Sequence, residues 1–278
     1  VGERLYGFFP MASHVVMRPG ERSERGFTDA MPHRSELPGL YNYYARTQSE
    51  PAQLQALEDQ RCIFFPLFMT GYVIADLLLD NDWFGVEQIL IGSASSKTGF
   101  STAAFIRAAG FQGAIAGLTS DQNVAFSEAL GCYDRVVSYS EVGSVANEPS
   151  AYIDIAGDVE VRSRLHHSLQ NNAAHTLLVG ATHWDQFGQS VDGEPLPGSE
   201  PQVFFAPAQI EKRDGEWGRG VMMGKAYAAS IELVTQLAPT LLMESYTGAE
   251  ACDAIWQSLL RNQVSGQRGV MVSLQAGT

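Results

Sequence analysis

Cysteine clusters and an excess of basic residues are both absent from this chain of 278 residues. The three cysteines, Cys62, Cys132 and Cys252, are scattered, so they predict neither a disulfide framework nor a metal-ligand cluster. Lysine and arginine number 18 against 31 acidic residues, which gives a net charge of −13. Because nucleic-acid grooves carry a basic patch, this charge argues against a nucleic-acid partner.

Targeting signals are the second absence. No N-terminal stretch combines a charged start, an apolar middle and a small-residue cleavage site. We also expect no apolar run that reaches the roughly 18–20 residues of a membrane span. These absences predict a soluble, cytoplasmic protein without a membrane partner. Residues 1–9 are typical of the middle of a β-domain, so we expect the N-terminal part of a larger protein to precede them.

From about Glu87 the chain alternates short apolar runs with helical segments. The predicted strands are 88–93, 114–118, 135–139, 152–156, 175–180 and 203–206. The predicted helices are 98–109, 122–130, one that ends at 165, and a long one over 221–237. This alternation predicts an α/β fold with a Rossmann-type, doubly wound parallel sheet, whose ligands bind outside the carboxyl ends of the strands.

The two ends of the chain follow a different pattern. We predict two short strands within residues 1–18, an irregular connection over 19–50, and helices over 51–60 and 67–81. The segment from Leu241 onward predicts a strand, a helix and a further strand.

The turn after the first apolar strand, Gly92–Gly99, carries most of the functional argument. A strand, a turn of small residues and a helix start place backbone N–H groups at a positive helix end, which suits a phosphate. Aligned on Gly99, the G-x-G-x-x-G fingerprint reads Ala94-x-Ser96-x-x-Gly99, so two of its three glycines are replaced. A βα turn without a ligand is the alternative. The long α/β repeat, the three serines and one of only three lysines, Lys97, favour a binding site.

A Walker P-loop is a rival interpretation, because Ser96-Lys97-Thr98 resembles the end of that motif. The motif requires glycines at the places that Ile91 and Ser96 hold, and Gly92 is one position out of register. A P-loop-like nucleotide hydrolase is therefore the minor alternative.

The turn after the second predicted strand bears on the choice of cofactor. NAD-specific folds place an acidic side chain there to bind the ribose hydroxyls, whereas this chain has the neutral donors Thr119 and Ser120. Asp121 follows, and we expect it to cap the next helix, although it is also a candidate for ribose binding. The turn predicts NADP in preference to NAD.

Three of these segments, Ser93–Gly99, Gly117–Ser120 and Leu130–Val136, resemble the medium-chain dehydrogenase/reductase superfamily, and within it a zinc-independent branch related to quinone and enoyl reductases. Val1–Gly7 is similar to a motif near the end of that superfamily's GroES-like domain. The resemblance implies remnants of a GroES-like β-domain at 1–50 and 240–278. It implies a dinucleotide-binding Rossmann domain at 51–239 and homodimerisation through the sixth strand.

Residue by residue, the resemblance maps the pyrophosphate turn onto Ser95, Ser96, Lys97, Thr98 and Gly99, next to Ser93. The basic side chain that quinone reductases aim at the 2′-phosphate falls near the neutral Asn123, so Lys97 is expected to compensate. The tyrosine after the third strand matches Tyr139. The resemblance implies that the nicotinamide end lies near Gly157, Gly180 and Ala181, and near Phe204 and Phe205. No metal ligands match, so hydrogen-bond donors are expected to polarise the substrate.

Three further residues are candidates for the substrate side. Tyr41 is a candidate donor of the proton that follows hydride delivery, and Arg34 a candidate clamp on a carboxylate or phosphate. His183 follows the fifth strand at the ligand edge. For any single aromatic residue, packing of a loop is the alternative. The adjacent pair His166 and His167 is predicted to be exposed on a helix.

These observations favour an NADPH-dependent, zinc-independent reductase of a small-molecule carbonyl or activated double bond. The alternative from another class is a non-catalytic dinucleotide-binding sensor or assembly protein, because a fold does not determine a function.

Overall fold

The computed structural model describes residues 2–180 and 195–274. Contacts within the chain divide it into two compact units. The smaller unit is Val1–Ile63 with Leu242–Thr278, and the larger is Phe64–Leu241.

The smaller unit begins with an antiparallel sheet. Its strands are β1 (Leu5–Tyr6), β2 (Pro19–Ser23), β3 (Gly26–Asp29) and β4 (Tyr43–Arg46), in the order β1-β4-β3-β2, and helix α1 (Ala52–Ala56) follows them. The buried ring of Tyr44 stacks on Phe27 at 5.8 Å and holds this sheet together. The prediction of an irregular connection over 19–50 is wrong, since three of these strands lie in it. The prediction of two strands in 1–18 is also wrong, because only β1 forms in the described part of that segment.

The larger unit contains a parallel sheet of six strands among its described residues. These strands are β5 (Gln88–Gly92), β6 (Ala114–Thr119), β7 (Arg135–Ser138), β8 (Ser150–Asp154), β9 (Ala173–Leu178) and β10 (Gln202–Val203). Their order is β10-β9-β8-β5-β6-β7, so the direction of winding reverses between β5 and β8. Every residue of β5 and β8 is buried, as parallel strands covered on both faces require.

Helices cover both faces of this sheet. They are α2 (Glu58–Asp80), α3 (Lys97–Ala108), α4 (Val124–Ala129), α5 (Val159–Leu169), α6 (Ala206–Trp217) and α7 (Val221–Leu237). Helices α2 and α3 approach closely at Gly71, where a Cβ atom would lie 2.5 Å from the Ser101 hydroxyl and 2.8 Å from the Thr102 amide nitrogen. Apolar side chains of α5, including Leu165 and Leu169, pack on strand residues such as Leu90.

The predicted fold class is confirmed by this sheet together with the antiparallel sheet of the smaller unit. The predicted helix over 221–237 has the bounds of α7. Helix α6 was not predicted, and the sixth strand covers only Gln202–Val203 instead of 203–206. Helix α2 continues through Pro66, where the sequence predicted a break. Phe64, Phe65 and Phe68 are buried on either side of this proline, and their packing outweighs the lost backbone hydrogen bond.

Helix α2 corrects a second expectation. It has 23 residues and a mean hydropathy of 2.0 in its most apolar window, so by length and composition alone it is able to cross a membrane. Half of that window is buried within the protein, and core helices of globular proteins have the same properties. This one helix is therefore weak support for a membrane span.

The C-terminal part of the smaller unit is a strand–helix–strand segment, as predicted. It consists of β11 (Leu242–Thr247), α8 (Ala249–Leu260) and β12 (Arg268–Ser273), and the two strands pair in parallel. Arg268 bridges them through hydrogen bonds from its guanidinium to both carboxylate oxygens of Glu244.

Candidate cofactor site

The turn between β5 and α3 is closed by its own serines. Ser93 has a φ of 54°, and its amide donates to the Tyr139 hydroxyl at 2.8 Å. The Ser96 amide donates to the Ser93 carbonyl, while the Ser96 hydroxyl accepts from the Gly99 amide at 3.0 Å and so caps α3. A Cβ atom on Gly99 would lie 2.5 Å from the Ser93 carbonyl oxygen, so this position requires glycine. Four of the predicted site residues thus meet in one turn.

Helix α3 begins at this turn and leaves backbone donors at its end. The amides of Ser96 and Gly99 are bonded within the turn. In the described part of the chain, the Thr98 amide has no acceptor, whereas the Thr98 carbonyl accepts from Ser101 and Thr102 hydroxyls. The helix therefore presents an N–H group and the positive end of its dipole at the carboxyl edge of the sheet.

A second set of contacts fastens this turn to the neighbouring strand β6. The buried Ala94 donates its amide to the Leu118 carbonyl and accepts from the Tyr133 hydroxyl at 2.8 Å. The Ser95 hydroxyl accepts from Thr119 at 3.3 Å. Gly117 makes room, since a Cβ atom there would lie 2.7 Å from that of Ala94. Sequence reasoning did not assign a site role to Tyr133 or Gly117, although both lie in the segments that carried the resemblance.

Lys97 is the first residue of α3 and is half-buried. Its ammonium nitrogen lies 5.8 Å from the centre of the buried Phe64 ring. Burial lowers the pKa of Lys97 from 10.5 to about 8. The turn therefore holds a positively charged ammonium group at neutral pH, and Lys97 loses that charge as the pH rises through about 8.

The turn after β6 is arranged differently from the prediction. Asp121 does not cap the following helix. Its carboxylate accepts instead from the hydroxyls of Ser138 and Ser140 at the end of β7, and these hydrogen bonds lower its pKa. The side-chain amide of Asn123 donates to the Ser120 hydroxyl at 2.9 Å. The expectation about Asp121 is wrong because two hydroxyls on the adjacent strand compete for its carboxylate.

A buried ion pair lies at the end of β8, and sequence reasoning missed it. Asp154 and Arg162 are each at most 2% exposed, and the Arg162 Nη1 donates to Asp154 Oδ2 at 2.7 Å. Asp154 Oδ1 accepts from the Gly157 amide at 2.8 Å and from the Tyr152 hydroxyl at 3.3 Å. Burial raises the pKa of Asp154, although the hydrogen bond from Arg162 opposes that shift. The available sequence signal was an acidic residue that interrupts an apolar strand.

Gly157 and Gly180 follow β8 and β9 at the same edge of the sheet. Gly157 has a φ of 72°, which favours glycine. A Cβ atom on Gly180 would overlap the carbonyl oxygen of Ile155, so the two turns touch each other. Ala181 and His183 lie outside the described residues.

The two adjacent histidines of α5 differ in environment. His167 is exposed, as predicted, but the prediction is wrong for His166, which is 1% exposed. Its ring nitrogens contact the Pro197 carbonyl at 2.8 Å and the Thr176 hydroxyl at 3.0 Å. Burial lowers the pKa of His166, and these two partners fix its ring in the core.

Tyr41 and Arg34 lie in the smaller unit. The Arg34 guanidinium donates to the Asn42 side chain at 2.9 Å and to the Tyr41 carbonyl, and it lies 3.8 Å from Asp29. The Tyr41 ring packs edge-on against Phe8 at 5.0 Å. Arg34 thus organises its own loop, and its proposed role as a clamp stays a prediction, as does the role of Tyr41. Within residues 2–180 and 195–274, no group of three or more His, Cys, Asp or Glu side chains is placed to hold a metal ion.

Solved structures similar to this chain include two oxidoreductases. One is the yhdH oxidoreductase from Salmonella enterica in complex with NADP, at a TM-score of 0.51 and 14% identity, over 84% of this chain and 70% of that one. The other is an alcohol dehydrogenase from Thermotoga maritima, at a TM-score of 0.51 and 12% identity, over 86% of this chain and 66% of that one. At such identities the likeness concerns the fold alone. No curated protein matches the chain.

A doubly wound parallel sheet together with an antiparallel sheet is the fold that this chain shares with these two oxidoreductases, and it is the fold that the resemblance to the medium-chain dehydrogenase/reductases predicted. The chain belongs to the family described as "Protein of unknown function (DUF2855)", which matches residues 1–265.

Proposed function

We propose that this chain binds NADP(H) and acts as an NADPH-dependent, zinc-independent reductase of a carbonyl or activated double bond. The observation that carries the proposal is the turn between β5 and α3. Its glycine is required by the Ser93 carbonyl, its helix end offers an N–H donor, and it lies beside the reversal of winding between β5 and β8. Dinucleotides bind doubly wound sheets at that point.

The residues of the turn fit a pyrophosphate. The N-terminus of α3 supplies the Thr98 amide and a partial positive charge. Ser95, Ser96 and Lys97 immediately precede Thr98 at this helix end. When bound, the nicotinamide supplies the hydride, while the protein supplies binding and orientation. The similar fold of the yhdH oxidoreductase supports this assignment, since that protein was solved in complex with NADP.

A preference for NADPH over NADH is supported by the turn after β6. Asp121, the acidic residue nearest the expected ribose, is engaged by Ser138 and Ser140, while Ser120 and Asn123 supply neutral polar groups. The Asp121 carboxylate keeps its negative charge, but its hydrogen bonds direct it toward the end of β7. Ser120 and Asn123 are then the groups of this turn that we expect a 2′-phosphate to meet. Lys97 adds a cation from the first turn.

Titration calorimetry with NADPH, NADH and Mg-ATP in parallel tests the cofactor assignment. We expect tight binding of NADPH, weaker binding of NADH and none of Mg-ATP. Gly99→Ala is expected to abolish NADPH binding, because the new Cβ atom collides with the Ser93 carbonyl. Gly215→Ala in α6 is the matched control, since that glycine is also helical and has open space around it.

The other outcomes are equally informative. NADH bound more tightly than NADPH would mean that Asp121 reads the ribose. Mg-ATP binding that is lost in Lys97→Ala, without NADPH binding, would support the P-loop alternative. NADPH binding without oxidation of NADPH by any of a panel of enones, quinones and aldehydes would favour a non-catalytic sensor or assembly protein.

We further propose that the protein is a soluble, cytoplasmic homodimer that pairs through the edge strand β10. Among the described residues β10 is the outermost strand of the sheet, and Val203 and Phe205 at this edge are 64% and 59% exposed. An apolar edge of this kind favours association. Light scattering of wild type and Val203→Glu tests this, and a monomeric wild type would refute it. Tyr41, Arg34 and His183 remain proposals for the substrate side.

A further inference from the structure

We propose that Asp154 is a positioning residue that holds the two turns expected to bind the nicotinamide half of the cofactor. This inference rests on the proposed function. Asp154 is fully buried, so its side chain acts through the residues that are hydrogen-bonded to it.

The first step of the argument is the turn after β8. Asp154 Oδ1 accepts from the Gly157 amide at 2.8 Å and fixes the left-handed conformation of that glycine. Asp154 Oδ2 accepts from Arg162, one turn into α5, at 2.7 Å. The carboxylate therefore ties the strand, the turn and the following helix together.

The second step is the turn after β9. The backbone carbonyl of Asp154 accepts from the Val179 amide at 2.9 Å and from the Gly180 amide at 3.4 Å. Gly180 in turn packs directly on the carbonyl of Ile155. A change in the position of Asp154 is therefore transmitted to both Gly157 and Gly180.

The third step assigns these turns to one half of the cofactor. A doubly wound sheet consists of two mononucleotide-binding halves, and β8 to β10 form the second half here. The first half, at the β5 turn, is held by two separate hydrogen bonds, one from the Ser93 amide to the Tyr139 hydroxyl and one from the Tyr133 hydroxyl to the Ala94 carbonyl. In the part of the chain that the structure describes, none of those bonds involves Asp154.

The fourth step is the requirement for a carboxylate. Asp154 accepts from three donors, which belong to Gly157, Tyr152 and Arg162. An asparagine has one acceptor oxygen, so its NH₂ group must face either the Gly157 amide or the Arg162 guanidinium. Asp154→Asn therefore breaks one of these contacts while it preserves the size of the side chain.

The experiment measures binding of three probes to the full chain and to two variants. The probes are NADPH, adenosine 2′,5′-bisphosphate for the adenine half, and reduced nicotinamide mononucleotide for the other half. For Asp154→Asn we expect the Kd of NADPH and of the mononucleotide to rise about tenfold, the equivalent of one hydrogen bond, with less than a twofold change for the bisphosphate. The matched control is Glu244→Gln, which alters a carboxylate that also accepts from an arginine and a tyrosine but lies in neither turn, so it should change none of the three.

An equal loss of affinity for both half-cofactor probes would overturn the inference, because a purely structural defect does not distinguish them. An unchanged affinity for all three would overturn it as well. If Asp154→Asn does not fold, Tyr152→Phe removes only one donor and is expected to weaken the mononucleotide alone by about twofold to threefold. Wild-type protein that binds none of the probes would refute the proposed function, and that result is distinct from either outcome above.

Discussion

Replacing Lys97 by methionine is expected to stabilise the folded protein at pH 7 while it weakens NADPH binding. Lys97 keeps a charged group half-buried at the start of α3, and burial lowers its pKa from 10.5 to about 8. Methionine has a similar length and carries no charge to desolvate. The same side chain is proposed to serve the phosphates of the cofactor, so stability and binding should change in opposite directions.

The magnitude follows from the shift in pKa. A change from 10.5 to about 8 corresponds to roughly 3 kcal/mol of penalty on the charged form. The interaction with Phe64, whose ring centre lies 5.8 Å away, returns about 0.5–1 kcal/mol. We therefore expect Lys97→Met to raise the free energy of unfolding by about 1–3 kcal/mol at pH 7.

The difference in the free energy of unfolding between Lys97→Met and the wild type depends on pH in a defined direction. Below about pH 8 both the folded and the unfolded chain carry the proton, so the folded wild type bears the whole penalty. Between about 8 and 10.5 only the unfolded chain keeps the proton, and wild-type stability rises toward that of the variant. The advantage of Lys97→Met should therefore be greatest at pH 7 and should shrink by pH 9.5.

Urea unfolding of both proteins at pH 7 and pH 9.5 measures this difference. Lys225→Met is the matched control, since Lys225 is exposed and lies over Trp217 at 4.2 Å, so its replacement should give no stabilisation. A Lys97→Met protein that is less stable at pH 7, or equally stabilised at both pH values, would refute the reasoning. The Kd of NADPH for the wild type should also increase as the pH rises through about 8, while the Kd for Lys97→Met should stay constant.

Two further changes test other parts of the structure. Asp121→Asn removes a negative charge near the expected 2′-phosphate, so NADPH affinity should rise about twofold to fivefold at low salt and the gain should fade at high salt; a gain that appears equally for NADH in calorimetry would contradict this. Gly71→Val should lower the free energy of unfolding by about 1–3 kcal/mol, because its side chain collides with Ser101 and Thr102 where α2 meets α3. An unchanged urea midpoint for Gly71→Val would show that the two helices are not in contact there.

Continuous apolar patterns made part of the fold predictable. Strand β5 and helix α7 lie where predicted because burial of one face or both imposes a regular spacing on their residues. Helix α6 escaped prediction because its buried residues are Gln209 and Arg213, which bond to Asp76 on α2. A helix held by polar contacts shows no hydrophobic period.

The candidate site was predictable only where it is local in sequence. The turn around Gly99 was recognised because a strand, a run of small residues and a helix start are adjacent. The partners of Asp121 lie on another strand, and those of Asp154 include Arg162 on the next helix. Which donors form hydrogen bonds to a carboxylate depends on the residues that surround it in the folded protein, and a single sequence does not contain that information.

The apolar helix α2 has a consequence for the folding of the chain during its synthesis on the ribosome. Phe65 packs against Tyr227 on α7, and Asp76 pairs with Arg213 on α6. These partners are synthesised roughly 130–160 residues after α2, which at ~5–20 residues per second means a delay of about 10–30 s. During that interval this apolar helix lacks the helices that later cover it, so we expect chaperones and membranes to compete for it before the sheet is complete.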